Sequence, residues 1–255
     1  MSTEMLAALP QAYAAIPHTV QRHTPRRRAV AKAMTMAAQV PTLTADVRVD
    51  LTAVLAVRRE WAGGARPSVL GLIAWAAVRT LREFPALNAS WSDSALIAWN
   101  PVNLGIAVDT PKGVVVPVVT DAAQYGAPEL TAAIAAAAEK TRGRGLDLAD
   151  LEGGTFTISN PGAVGPSVRA EALLNTPQVA LLGLPGIIRQ PVVVGTGDRE
   201  RVEIRSTITP SLTFDHRAID GGDAVRYLVA LRDLLESADD AAYRSPGRKD
   251  DHHDD

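Results

Sequence analysis

The chain has 255 residues, of which 47% are hydrophobic and 21% charged, and its formal net charge is -2. This composition is typical of a globular protein with a sizeable core, and it lacks the excess positive charge that nucleic-acid binding requires. Cysteine is absent, which excludes disulfides, thiolate metal sites and a cysteine nucleophile, and fits a cytoplasmic location. We expect neither a secretory signal nor a membrane-spanning segment.

Helical and strand-like patterns alternate along the chain after an N-terminal arm at residues 1–21. Apolar residues at helical spacing predict helices at 25–38, through Leu55 and Trp61, from Ser68 as N-cap to Leu81, at 128–142 and at 223–236. Alternating or short apolar runs predict strands at 43–51, twice within 103–119, and at 154–160, 179–184, 192–194, 202–208 and 209–214. One mixed α/β domain at 22–240, followed by a polar tail at 241–255, accounts for this order.

His216 is the one histidine in the body of the chain, because the other four lie near the termini. Histidine has the unperturbed pKa that suits proton transfer near neutral pH, so His216 in DHRAIDG is the candidate general base. The alternative is a histidine buried for packing. Asp220 follows just before a helix, and its carboxylate is expected to fix the loop through backbone bonds, by pairing with Arg217 or Arg28, or as a helix N-cap.

A second candidate site lies in GGTFTISNPG at 153–162, where a strand ends in small polar residues. Ser159 can act there as a nucleophile with His216 as its base, or it can donate a hydrogen bond to an oxyanion. The residues themselves do not decide between these roles, and the Gly-x-Ser-x-Gly elbow of hydrolases is absent from the motif. Phe156 and Ile158 are expected to point inward, opposite the hydroxyl groups.

These motifs, with NLGIAVDTPKGVVVPVV at 103–119, FPALNAS at 84–90 and TPQVALLG at 176–183, resemble the catalytic domain of 2-oxo acid dehydrogenase dihydrolipoyl acyltransferases. They occur in the family's order and cover residues 22–240. The resemblance implies a chloramphenicol-acetyltransferase-like α/β fold, with a mixed β-sheet flanked by helices. It also implies trimers with active sites between neighbouring subunits.

The same resemblance implies acyl transfer between coenzyme A and a dihydrolipoyl-type thiol, by direct thiol–thioester exchange. In this scheme His216 is the general base, Ser159 is the oxyanion donor rather than the nucleophile, and Asp220 supports the histidine. Arginines are candidates, by charge alone, to hold the phosphates of coenzyme A: Arg26, Arg27, Arg28, Arg142 and Arg144. We expect no metal site.

Two departures from the family pattern affect the expected partners. None of the four lysines lies in the Asp-Lys-Ala tip that carries lipoyl groups, so we expect the lipoyl group on a separate carrier protein, and we recognise neither a lipoyl nor a peripheral subunit-binding domain. The charged C-terminus, where family cores have an apolar segment, favours a trimer over a cage. Two alternatives stay open: an acyltransferase that uses a carrier-protein thiol or another non-lipoyl acceptor, and a structural core for a multienzyme complex.

Overall fold

The computed structural model describes residues 13, 15–62, 64–111, 113–143, 145–165, 169, 171–237 and 239–244. The chain forms two compact units, residues 1–35 and 36–255. Helix α1 (Pro25–Ala37) begins in the first unit, where Thr24 Oγ1 accepts a hydrogen bond of 3.1 Å from the backbone N–H of Arg27. The predicted first helix is therefore confirmed, with a threonine as its N-terminal cap.

The second unit combines helices with short strands. Its helices are α2 (Thr52–Glu60), α3 (Val69–Leu81), α4 (Ala127–Arg142), α5 (Gly221–Ser237) and α6 (Asp240–Arg244). Its strands are β1 (Thr42–Asp46), β2 (Val49–Asp50), β3 (Ala89–Trp91), β4 (Leu96–Ala98), β5 (Leu104–Ala107), β6 (Val118–Val119), β7 (Phe156–Ser159), β8 (Ala180–Gly183), β9 (Ile188–Val194), β10 (Arg201–Ile208) and β11 (Ser211–Asp215). None of the helices in the described residues combines the length and apolarity needed to span a membrane.

The central sheet has the strand order β1-β11-β8-β7-β5-β6. Strand β7 runs parallel to both of its neighbours, and the other pairs are antiparallel. A second sheet has the order β2-β10-β9, and β3 and β4 form a separate hairpin. Because β1 leads into β2, β8 into β9 and β10 into β11, the second sheet continues three strands of the central sheet beyond a break. The predicted mixed sheet flanked by helices is confirmed.

The hydrophobic core lies between the central sheet and its helices. Phe156 and Ile158 are fully buried in it, as predicted, and the Phe156 ring lies 6.4 Å from that of Tyr227 in α5. Burial raises the pKa of the Tyr227 hydroxyl, which therefore stays neutral. Ser68 caps α3 as predicted, since its Oγ accepts from the backbone N–H of Gly71 at 2.9 Å.

The predicted single strand at 43–51 differs from the structure in two respects. It divides into β1 and β2, which belong to different sheets, and Leu43 is 52% exposed rather than buried. Strand β1 is the edge of the central sheet, so an apolar side chain on it is not fully covered by neighbours. The hairpin β3–β4 was not predicted, because its three-residue strands are too short to show a period.

The structure also differs from the prediction near the C-terminus. Residues 241–244, which the sequence assigns to the polar tail, belong to α6. Tyr243 is fully buried there, 4.7 Å from the ring of Trp75, and the Arg244 guanidinium lies 4.0 Å from the ring centroid of Trp61. Two aromatic neighbours therefore anchor a segment that looks polar in sequence. The rest of the predicted tail, residues 245–255, lies outside the described residues, as does most of the predicted arm.

Candidate functional site

His216 directly follows β11, at the end of a central strand. Its backbone N–H donates to Pro41 O at 2.8 Å, and its ring centroid lies 5.7 Å from that of Phe214. The residue is exposed, which contradicts the alternative of a histidine buried for packing. A rigid backbone thus presents an accessible imidazole.

One ion pair, between the two residues that flank His216 in the chain, fixes the turn that carries it. Asp215 is 2% exposed; its Oδ1 accepts from the backbone N–H and Nε of Arg217 at 2.9 and 3.0 Å, and its Oδ2 accepts from Nη2 at 2.7 Å. The hydrogen bond to Asp215 raises the pKa of Arg217. The guanidinium also lies 5.2 Å from the ring centroid of Trp91. Arg217 therefore pairs with Asp215, and the suggested pairing with Asp220 is wrong.

Asp220 occupies the position directly before α5. Its backbone carbonyl accepts from the N–H groups of Asp223 and Ala224 at 3.0 and 3.2 Å. The Asp220 side chain is exposed, and its carboxylate has no hydrogen-bond or ion-pair partner among the residues that the structure describes. The backbone of Asp220 thus starts the helix, while its carboxylate is available to another group.

Ser159 is the last residue of β7. Its backbone pairs with Ala107 and Gly183, and its carbonyl accepts from the N–H of Leu184 at 2.7 Å. The residue is half-buried, and the alternation of the strand places its hydroxyl on the face away from the helices. Just beyond it, the backbone of Gly162 lies so close to that of Pro185 that a Cβ atom would not fit. The segment that holds Ser159 is therefore tightly packed.

The strand register places Ser159 and His216 at opposite ends of the central sheet. Ser159 lies opposite Gly183, which lies opposite Ser211, the first residue of β11, whereas His216 follows its last residue. With the usual rise per residue and strand spacing, the two residues are separated by about 16 Å along the strands and about 10 Å across them. Within one chain, the two side chains are too far apart to act on one reacting group.

A groove lies next to the turn of His216, along the free edge of β1. Its volume is about 510 Å³, and its lining residues come from β1, β11 and the segment before β8: Thr42, Leu43, Thr44, Glu171, Ala172, Leu173 and Thr213. Thr42 is the partner of Asp215 in the sheet, one residue before the histidine. The groove therefore runs towards His216, and sequence reasoning did not identify it.

The predicted phosphate-binding arginines are only partly described. Arg26, Arg27 and Arg28 form the exposed first turn of α1, in the first compact unit, and Arg142 is exposed at the end of α4. Arg144 lies outside the described residues. Over the part of the chain that is described, no three histidine or acidic side chains gather in a way that could hold a metal ion.

Comparison with known proteins identifies the family. The family model for the 2-oxoacid dehydrogenases acyltransferase catalytic domain matches residues 16–242. The chain belongs to this family. It is 36% identical over 227 residues to the dihydrolipoyllysine-residue succinyltransferase component of the Bacillus subtilis 2-oxoglutarate dehydrogenase complex, covering 86% of this chain and 54% of that protein. The acetyltransferase component of the Corynebacterium glutamicum pyruvate dehydrogenase complex is 36% identical over 204 residues, 77% of this chain and 30% of that protein. The chain therefore spans about half, or less, of these curated relatives.

Solved structures of the family have the same fold. One is a dihydrolipoamide acetyltransferase from Azotobacter vinelandii, in which the role of a serine, a histidine and an asparagine in the catalytic mechanism was studied. It is 32% identical to this chain, with a TM-score of 0.81. The match covers 90% of this chain and 96% of that one. The cubic core of the pyruvate dehydrogenase multienzyme complex gives the same values. A chloramphenicol acetyltransferase has a TM-score of 0.52 at 11% identity, over 84% of this chain and 96% of that one, which confirms the predicted fold.

Proposed function

We propose that this family member transfers an acyl group between coenzyme A and the thiol of a dihydrolipoyl group, with residues 22–240 as its catalytic domain. The observation that carries the proposal is the exposed imidazole of His216 on a turn that Asp215 and Arg217 hold in place. The named relatives, which are succinyl- and acetyltransferase components of 2-oxo acid dehydrogenase complexes, support it.

In the proposed reaction, His216 accepts the proton of the attacking thiol. A free thiol is mostly protonated at neutral pH, so a neighbouring base raises the thiolate fraction. The thiolate forms a C–S bond to the thioester carbonyl carbon, and the negative charge develops on the carbonyl oxygen. Ser159 donates a hydrogen bond to that oxyanion. Collapse breaks the other C–S bond, and the departing thiolate takes the proton from the imidazolium.

The site must combine residues from two copies of the chain. Ser159 and His216 lie at opposite ends of one sheet, so we propose that Ser159 of one copy meets His216 of a neighbour in a trimer. The solved relative that forms a cubic core supports self-assembly in this family. Asp220 has a supporting role on the turn of the histidine; it stands four residues after His216, the spacing that separates the histidine and the asparagine studied in the Azotobacter vinelandii enzyme.

Each substrate carries a group by which a protein can hold it. Coenzyme A carries phosphates, for which Arg26, Arg27, Arg28, Arg142 and Arg144 remain the proposed partners. The dihydrolipoyl group is proposed to arrive on a lipoyl domain outside these 255 residues, because none of the four lysines among them has the lipoyl-attachment context. Holding both substrates in one place removes much of the entropic barrier to exchange.

The proposal is tested by an acceptor screen with the wild-type protein. Acetyl- and succinyl-coenzyme A are supplied with dihydrolipoamide or with a phosphopantetheinyl carrier protein, and release of coenzyme A is followed. We expect dihydrolipoamide to be acylated. Transfer to the carrier-protein thiol alone would support the non-lipoyl alternative, and no transfer with any acceptor would support a structural core.

The Asp215–Arg217 pair provides a second prediction. Arg217→Gln removes the guanidinium that holds the buried carboxylate, so the His216 turn loosens and kcat should fall about tenfold or more, with KM little changed. Arg226→Gln is the matched control, since Arg226 pairs with Asp223 on an exposed part of α5. The measurement is kcat and KM of the two variants under steady-state conditions. An Arg217→Gln enzyme with wild-type kcat would contradict the role of Arg217 in positioning His216.

A further inference from the structure

The groove along the free edge of β1 combines hydroxyl groups, apolar side chains and one charged residue. Its hydroxyl groups come from three threonines of β1 and β11, and its apolar surface includes Leu43 and Leu173, which are 52% and 44% exposed. Among the described residues that line it, Glu171 alone carries a charge, and this residue is exposed. Such a groove suits an elongated ligand with an apolar chain and a few polar atoms.

Glu171 belongs to a cluster of three ion-paired side chains, which we call the ion-pair cluster. Arg169 Nη2 lies 2.7 Å from Oε1 of Glu171 and 3.2 Å from Oδ2 of Asp46. Two carboxylates share one guanidinium, so the cluster has one net negative charge. All three side chains are partly exposed, and their charges are therefore open to screening by salt.

The strand register sets the distance from His216 to the ion-pair cluster. Thr42, the first residue of β1, lies opposite Asp215, which directly precedes the histidine. Asp46 is the last residue of the same strand, so the groove and the cluster follow β1 over about 13 Å from the level of the histidine. A ligand that places a thiol at His216 and extends along β1 therefore brings its other end close to the cluster.

The charge of the ion-pair cluster distinguishes between the two thiols of the proposed reaction. Coenzyme A carries several phosphates, which a net negative charge repels, and the guanidinium of Arg169 already pairs with two carboxylates. A dihydrolipoyl group in amide linkage is neutral, and its apolar chain extends over most of the length of the groove. The groove therefore fits the dihydrolipoyl amide better than coenzyme A.

We propose that Glu171 is a specificity-determining residue, which disfavours acceptor thiols that carry a negative charge at the far end of their chain. Dihydrolipoamide, whose chain ends in a neutral amide, enters the groove without charge repulsion. Dihydrolipoate, whose chain ends in a carboxylate, meets the net negative charge of the ion-pair cluster. This proposal rests on the proposed function, because it assigns the groove to the acceptor of that reaction.

The test compares two acceptors that differ by one charge. The ratio of kcat/KM for dihydrolipoamide to that for dihydrolipoate is measured with the acyl-coenzyme A that is active in the acceptor screen. The wild type should prefer the amide by about threefold or more at low ionic strength, and this preference should fall as salt is added. Glu171→Gln removes the net charge and should bring the ratio close to one. Arg169→Gln leaves two unpaired carboxylates and should raise the ratio above that of the wild type.

Glu139→Gln is the matched control, since Glu139 is an exposed carboxylate on α4, and it should keep the wild-type ratio. If Glu171→Gln and Arg169→Gln both keep that ratio, the role of Glu171 is overturned, while acylation of dihydrolipoamide still supports the proposed function. If Glu171→Gln instead lowers the KM for acyl-coenzyme A and leaves the ratio unchanged, the groove holds coenzyme A and the specificity proposal is also overturned. If the wild type acylates neither acceptor, the proposed function fails, and the role of Glu171 fails with it.

Discussion

His216→Ala is expected to lower kcat for acyl transfer by about a hundredfold or more, because the attacking thiol loses the base that accepts its proton. The side chain is exposed and makes no hydrogen bond to another described residue, so its removal should leave stability and assembly unchanged. The measurement is steady-state transfer from acetyl-coenzyme A to dihydrolipoamide, with native mass and thermal unfolding recorded on the same preparation.

Rescue by added imidazole is the control for the His216→Ala variant. Added imidazole should restore part of the rate in this variant, in proportion to its concentration, because the missing group is a base and its space is open to solvent. Imidazole should have no such effect on Arg217→Gln, which retains its histidine. A His216→Ala enzyme with wild-type kcat would show that another group accepts the proton.

Mixing two inactive variants is expected to restore activity if the site lies between copies. His216→Ala retains Ser159, and Ser159→Ala retains His216, so one contact in a mixed trimer unites the two intact side chains. Each trimer that contains both variants has one intact site out of three, so the recovered mixed trimers should reach about a third of the wild-type rate. Each variant alone should stay about a hundredfold or more below the wild type.

The mixing experiment is done by co-expression with two different affinity tags, so that only mixed assemblies are recovered. The control pairs His216→Ala with the double variant His216→Ala/Ser159→Ala, which offers no intact combination and should remain inactive. If the mixed trimers of the single variants were no more active than their parents, Ser159 and His216 would have to act within one chain. The register of the central sheet argues against that outcome.

Local features of this fold were predictable from sequence. The alternation of Phe156 and Ile158 with hydroxyl residues correctly assigns the buried face of β7, and Ser68 before an apolar run marks the start of α3. The Asp215–Arg217 pair could also have been found, because an aspartate side chain at a strand end commonly accepts from the backbone N–H two residues later in the turn. Pairing with Arg217 is one of several roles that the sequence allows for Asp220, but Asp220 lies beyond the turn, directly before α5.

Long-range features were not predictable in the same way. Strand β7 lies between β5 and β8. The local sequence pattern of a strand does not indicate which other strands it pairs with or in which register. The separation of Ser159 from His216 follows from that register, so it emerges only with the assembled sheet. Tyr243 shows the same limit on a smaller scale, since its burial depends on Trp75, far away in sequence.

The opposite placement of Ser159 and His216 has a consequence for newly made protein. Under the proposed composite site, a newly made subunit carries both Ser159 and His216, but the two cannot act together until a second copy associates with it. Unassembled chains are then inert towards the thioester pool of the cell, and the specific activity of a preparation rises with its concentration until association is complete. Under this proposal, a subunit that fails to associate does not acquire a complete active site.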